Sequence, residues 1–153
     1  MQDNAHDPSA ELAQWAEQGH QNAVGIADML GVSQPDYERD VLNLMGPLQD
    51  YVNRLPLDEF EQSDWVTLHA DLASYLADVM IQRHYAQWVK VEDNSKSRGF
   101  RYMLRVAAVD GSAHDLDPYD LVMEEFRNLP IQVARLIANA EVTAGVVKLM
   151  RDE

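Results

Sequence analysis

Apolar residues recur along most of the chain at spacings of three and four, the pattern of helices that turn one face inward. Asp7-Pro8 reads as an N-cap followed by a first-turn proline. Leu12, Trp15 and Ala16 then predict a helix that breaks near Gly19. Val24, Ile26, Ala27 and Leu30 predict a second, short helix stopped by Gly31. Ser33 and Pro35 open a third, whose face carries Tyr37, Val41, Leu44 and Leu48. Gly46-Pro47 interrupts that row, which sets Leu48, Tyr51, Val52 and Leu55 in a separate helix. Residues 56–62 read as an acidic connector. The clearest element starts at Ser63, a capping residue with Asp64 in the first turn, and runs to about His84. Leu68, Leu72, Tyr75, Leu76, Val79 and Met80 form its apolar stripe, and Asp71, Ser74 and Asp78 its polar side.

The period changes at Gln87. Trp88–Val91 reads as a strand, Asp93–Gly99 as a turn and Phe100–Val109 as a long strand. Phe100, Tyr102, Leu104 and Val106 share one face of that strand, and Arg101, Met103 and Arg105 the other. Asp110-Gly111 signals a hairpin into a short third strand near Ala113–Leu116. Asp117-Pro118 repeats the cap-plus-proline start, for a helix with Tyr119, Val122, Met123 and Phe126 inward that ends near Asn128–Pro130. A last helix from Ile131 to about Met150 carries Val133, Leu136, Ile137, Ala140 and Val147. The expected fold is mainly helical α+β in a single domain over residues 1–153. Residues 1–62 form a helical first part; residues 63–153 supply a helix, a hairpin and two helices. A small antiparallel sheet of two to three strands lies at about 87–116, packed against helices. Leu72, Leu76, Val79, Trp88, Leu104, Val122 and Phe126 should meet in one core.

Composition narrows the class. The chain has 153 residues, of which 46% are hydrophobic, and no cysteine. It therefore has material for one core and no disulfide, thiol nucleophile or cysteine metal site. No apolar run approaches the 18 or so residues of a membrane span. The start MQDNAHDPSA lacks a basic, apolar-cored leader, so a soluble, cytoplasmic protein is expected. The formal charge of −14 is uneven: residues 1–86 hold 15 acids and three bases, whereas residues 87–109 hold two acids and five bases. Such a field repels nucleic acid and anionic membranes and attracts basic protein surfaces.

Candidate chemistry is sparse. There is no glycine-rich phosphate loop, no Gly-x-Ser-x-Gly elbow and no Cys–His pair, so no enzyme activity is expected. His6, His20, His69, His84 and His114 show no recognised metal spacing; His69-x-Asp71 and His114-x-x-Asp117 each offer two ligands at most. No metal or cofactor is expected. Lys90, Lys96, Arg98, Arg101 and Arg105 make the hairpin basic, either to meet an acidic ligand or to balance nearby acidic helices and guard an edge strand. Residues 26–44, IADMLGVSQPDYERDVLNL, resemble the helix-turn-helix of bacterial repressors, whose second helix enters the major groove. Here that helix carries Asp36, Glu38 and Asp40 against Arg39, the wrong sign for phosphate.

From Leu68 onward the order of elements is familiar. A helix with Leu72-x-x-Tyr75-Leu76-x-x-Val79 leads to a Trp88 strand, a hairpin and Asp117-Pro118-Tyr119-x-x-Val122. The arrangement resembles small, uncharacterised bacterial proteins, some of them similar to immunity proteins of toxin systems. The group often has Gly-Gly before the tryptophan, where this chain has Ala86-Gln87. The resemblance implies a binding protein without chemistry of its own. The expected function is thus to bind and neutralise a basic protein partner such as a toxin. Asp58, Glu59, Glu61, Asp64, Asp71 and Asp78 are its candidate contacts. The alternatives are a nucleic-acid mimic whose carboxylates imitate phosphates, and a helix-turn-helix transcriptional regulator.

Overall fold

In the computed structural model, which describes residues 8–146, the first two expected helices are one. Helix α1 runs unbroken from Pro8 to Met29 and carries Gly19 and Gly25 inside it. A mid-helix glycine costs roughly 0.5–1 kcal/mol relative to alanine. That is too little to break a helix whose Ala23, Val24, Ile26 and Ala27 are buried along one face. The expected cap at Asp7 lies outside the described residues. The chain turns at Gly31, where φ is +89°, and the Val32 N–H reaches back to the Ala27 carbonyl at 2.8 Å.

Helix α2, Gln34–Arg39, starts as expected, with Ser33 accepting from the Asp36 N–H. Its end differs from expectation. The row breaks at Asp40, whose backbone is extended and whose carboxylate accepts from the Leu42 N–H at 3.0 Å. A 3-10 turn, Val41–Leu44, follows, and α3, Met45–Asn53, takes Gly46-Pro47 into its first turn. Proline costs no hydrogen bond there, because first-turn N–H groups have no partner within the helix. A short aspartate that caps the next turn is the stronger break.

The acidic connector contains a 3-10 turn, Leu57–Glu59. Helix α4, Gln62–His84, begins one residue before Ser63, with Glu61 at the cap position and the Asp64 carboxylate accepting from the Glu61 N–H at 2.9 Å. Its middle has no polar outer side: every residue from Leu72 to Met80 is buried, Ser74 and Asp78 included. The expected amphipathic face is absent because α4 is the central rod of the molecule. It packs against α1, α5 (Pro118–Phe126), α6 (Val133–Ala144) and the sheet.

The sheet has the order β1 (Gln87–Glu92), β2 (Phe100–Ala107), β3 (Ala113–Leu116), all antiparallel. Trp88 pairs with Leu104, which pairs in turn with Leu116. Tyr102, Leu104 and Val106 are buried along one face of β2, as the alternation requires. Asp117 caps α5 by accepting from the Tyr119 N–H at 2.8 Å. Helix α6 ends earlier than expected, at Ala144, because Gly145 turns left-handed at φ +73°. The expected continuation from Val147 to Met150 lies outside the described residues. Leu72, Leu76, Val79, Leu104 and Val122 are completely buried, whereas Trp88 and Phe126 pack at the margin of the core. The architecture is a single, mainly helical α+β domain.

Candidate functional site

The first turns of α4 and the end of α5 enclose an apolar groove. Trp65 meets Phe60 edge-on at 5.1 Å and Phe126 at 5.0 Å between ring centroids. Trp65, Phe126, Val66, Met123 and Leu129 line a hollow of about 450 Å³, with Gln62, His69 and Arg127 at its polar margin. Val66 is 60% exposed and Leu129 50%. His69 is held in place by donating from Nε2 to the Tyr119 carbonyl at 2.7 Å. Large apolar side chains gathered on a surface are the kind of patch that docking sites use.

Four of the expected contact residues stand beside this groove. Asp58 and Glu59 lie on the 3-10 turn before α4, Glu61 at its cap and Asp64 in its first turn, adjacent in sequence to Trp65. All four are exposed, and none forms an ion pair among the described residues. The other two do not join them. Asp71 is half-buried and accepts from the Asn22 amide at 3.2 Å, and burial pushes its carboxyl up. Asp78 is 7% exposed. The solvent-facing position expected for both is lost at Asp78 and kept only in part at Asp71, because α1 and α2 cover that side of α4.

Asp78 instead joins three helices. The Tyr37 hydroxyl donates to its Oδ2 at 2.6 Å, and His20 Nδ1 lies 3.0 Å from the same oxygen. His20 Nε2 reaches Glu38 at 2.8 Å. Burial pushes Asp78 up, against the pull of Tyr37 and His20. Burial also lowers His20, but its bonds and charge attraction to Glu38 and Asp78 outweigh that, and its net shift is upward. Desolvation drives Tyr37 above the ordinary phenol range. The group therefore ties α1, α2 and α4 together.

The basic hairpin divides into paired and unpaired charges. Arg101 reaches Asp93, Asp117 and Asp120 at 3.1, 3.2 and 2.9 Å. Arg105 meets Asp115 across the strand pair at 2.7 Å. Lys90 sits 4.2 Å from the centre of the Phe100 ring, and Arg98 lies 4.6 Å from the same centre. Lys96 makes no ion pair among the described residues. Arg98 and Lys96 border a cleft walled by Trp15, Tyr102 and Tyr119.

The remaining described candidates lie apart from both the groove and the basic hairpin's cleft. Residues 26–44 form the end of α1, a turn, the six-residue α2 and the 3-10 turn. Tyr37, in the middle of α2, is fully buried. His84 bonds Glu141 at 2.6 Å, His114 bonds Ser112 at 2.9 Å, and His6 lies outside the described residues. Among the described residues no group of three or more His, Asp or Glu side chains is placed to hold a metal ion. No helix among them is long and apolar enough to cross a membrane. Comparison with protein-family models, curated proteins and solved structures returns no match.

Sequence reasoning missed the groove. The spacing sets Met123 and Phe126 on the inward face of their helix, and nothing local distinguishes Val66, beside Trp65, or Leu129, beside Pro130, as exposed. The available signal was aromatic: Phe60 lies within the acidic run Asp58–Asp64 and Trp65 directly follows it, and large rings are out of place in a connector that is only solvated.

Proposed function

We propose that this protein is a non-catalytic binding module that seats a basic, amphipathic helical segment of a protein partner in the Trp65–Phe126 groove. One observation carries the reading: the exposed apolar groove opens beside four carboxylates, Asp58, Glu59, Glu61 and Asp64, that form no ion pair among the described residues. An amphipathic helix places apolar anchors every three or four residues and leaves its flanks free. Lysines and arginines on those flanks would meet the carboxylate rim while the apolar row fills the groove. A toxin with a basic surface is a partner of this kind, and its neutralisation by occlusion requires no chemistry. The charge of −14 favours such a partner over duplex DNA.

The test uses a Leu/Lys peptide of about 18 residues, five turns of amphipathic helix, and a scrambled isomer of equal charge. Calorimetric titration at physiological salt should show the amphipathic peptide binding at least about tenfold tighter than its isomer. Val66→Asp combined with Leu129→Asp should abolish that preference while circular dichroism remains unchanged. Equal affinity for both peptides, or an undiminished preference in the double variant, would overturn the reading.

A further inference from the structure

A second cleft, between α1, the sheet and α5, has a different character. Trp15 stands at its centre, with ring centroids of Tyr102, Trp88 and Tyr119 at 5.0, 5.7 and 6.1 Å. Trp15 and Tyr119 form the shared wall of two hollows of about 170 and 370 Å³. The larger lies in the range of roughly 300–1,000 Å³ usual for small-molecule sites.

Its charge departs from that of the chain. Three cations, Lys96, Arg98 and Arg101, and two carboxylates, Asp117 and Asp120, line the larger hollow, and Asp93 beside Arg101 brings the two signs level. Arg101 is held by those two carboxylates and by Asp93. Lys96 and Arg98, on the β1–β2 turn, make no ion pair among the described residues, although Lys96 is near enough to Asp93 to help lower that carboxyl. Arg98 lies over the Phe100 and Tyr102 rings, and its Nε donates to the Phe100 carbonyl at 3.3 Å. With its central carbon 4.6 and 5.3 Å from the Phe100 and Tyr102 ring centres, the guanidinium faces both rings and keeps its terminal N–H groups for an anion. Aromatic walls and two cations without an ion pair among the described residues, Lys96 and Arg98, therefore coincide in a chain whose overall field would expel anions.

We propose that this cleft binds a small planar aromatic anion, its ring against Trp15 and Tyr119 and its carboxylate or phosphate on Lys96 and Arg98. The cleft borders the docking groove through His69 and Met123, which line both, but Trp15, Tyr119, Lys96 and Arg98 lie outside the groove, so its test is separate. The probes are 1-naphthoate, 1-naphthyl phosphate and 1-naphthylmethylammonium, which share a ring and differ in head group. Titration calorimetry at low salt should show the anions binding at least about tenfold tighter than the cation, the reverse of what a charge of −14 alone would give. The two anions compared with each other separate a carboxylate site from a phosphate site. Lys96→Glu with Arg98→Glu, both on an exposed turn, should invert the order, while Val66→Asp should leave it unchanged. Tighter binding of the cation, no binding of either anion at millimolar concentration, or an anion affinity indifferent to the Lys96/Arg98 exchange would overturn the proposal.

Discussion

An ionised carboxylate that is 7% exposed needs donors, and Asp78 has two, Tyr37 and His20. Both nitrogens of His20 face carboxylates, and only the imidazolium donates from both at once. Folded His20 therefore binds its proton more tightly than unfolded histidine, and so does Asp78, whose burial disfavours charge. The sign follows. The stabilising contribution of His20 is complete below its ordinary value of 6.5 and is lost as pH rises through the higher folded value. The cost of ionising buried Asp78 appears above the ordinary carboxylate range, so it acts in the same direction. We expect the urea midpoint of the wild type to fall as pH rises above 6.5, and His20→Asn to flatten that fall. An unchanged slope in the variant would place the pH dependence elsewhere. Little of this was legible in the sequence. Asp78 has the spacing of a polar helix face, and only the approach of α1 and α2 removes its solvent. Glu125 is a parallel case: it is 2% exposed and held by the Arg135 guanidinium at 2.6 Å, in a position that local pattern does not single out.

Between residue and fold, the elements differ in how far local chemistry decides them. Strand alternation and the Asp-Gly turn placed the hairpins closely, and Asp117-Pro118 began α5 as read, because these signals act over two to four residues. The glycines were harder, since the same residue breaks a helix or is carried within one according to tertiary burial. Gly25 lies inside α1 with nothing within 4 Å of an added Cβ. Gly145 ends α6 at φ +73°, where a Cβ would lie 2.9 Å from that of Ala108. Gly25→Ala should therefore stabilise the protein by about 0.5–1 kcal/mol. Gly145→Ala should destabilise it by at least about 1 kcal/mol, through the left-handed backbone and the close approach. Chemical denaturation of both variants checks the pair, and a shift of the same sign in the two would refute this account. The central helix gives the largest single effect. Leu76 is completely buried, and Leu76→Ala should cost about 2–5 kcal/mol; a loss below half the lower figure would mean that the core relaxes around it.

At the scale of the whole molecule, acid and base are segregated, and the segregation was visible in the sequence before any element was placed. What was not visible is the partition it acquires on folding. Arg101 and Arg105 are neutralised by acids close to them in space, whereas Asp58, Glu59, Glu61 and Asp64 form no ion pair among the described residues and stand beside the half-buried rings of Phe60 and Trp65. Rim charges of this kind act mainly on encounter, over a screening length of about 8 Å at 0.15 M salt. The apolar groove acts once the partner is seated, and so governs departure. The two contributions are therefore separable in kinetics. With the Leu/Lys peptide as partner, replacing the four carboxylates together by Asn and Gln should slow association about two- to tenfold. It should also flatten the salt dependence of that rate and change dissociation by a smaller factor. Val66→Asp should do the opposite, leaving association nearly unchanged and accelerating release. Stopped-flow mixing across a salt series measures both rates on the same samples. If the four-carboxylate variant associates as fast as the wild type with the same salt slope, Asp58–Asp64 is a solvated connector, and whatever the groove binds is recognised without it.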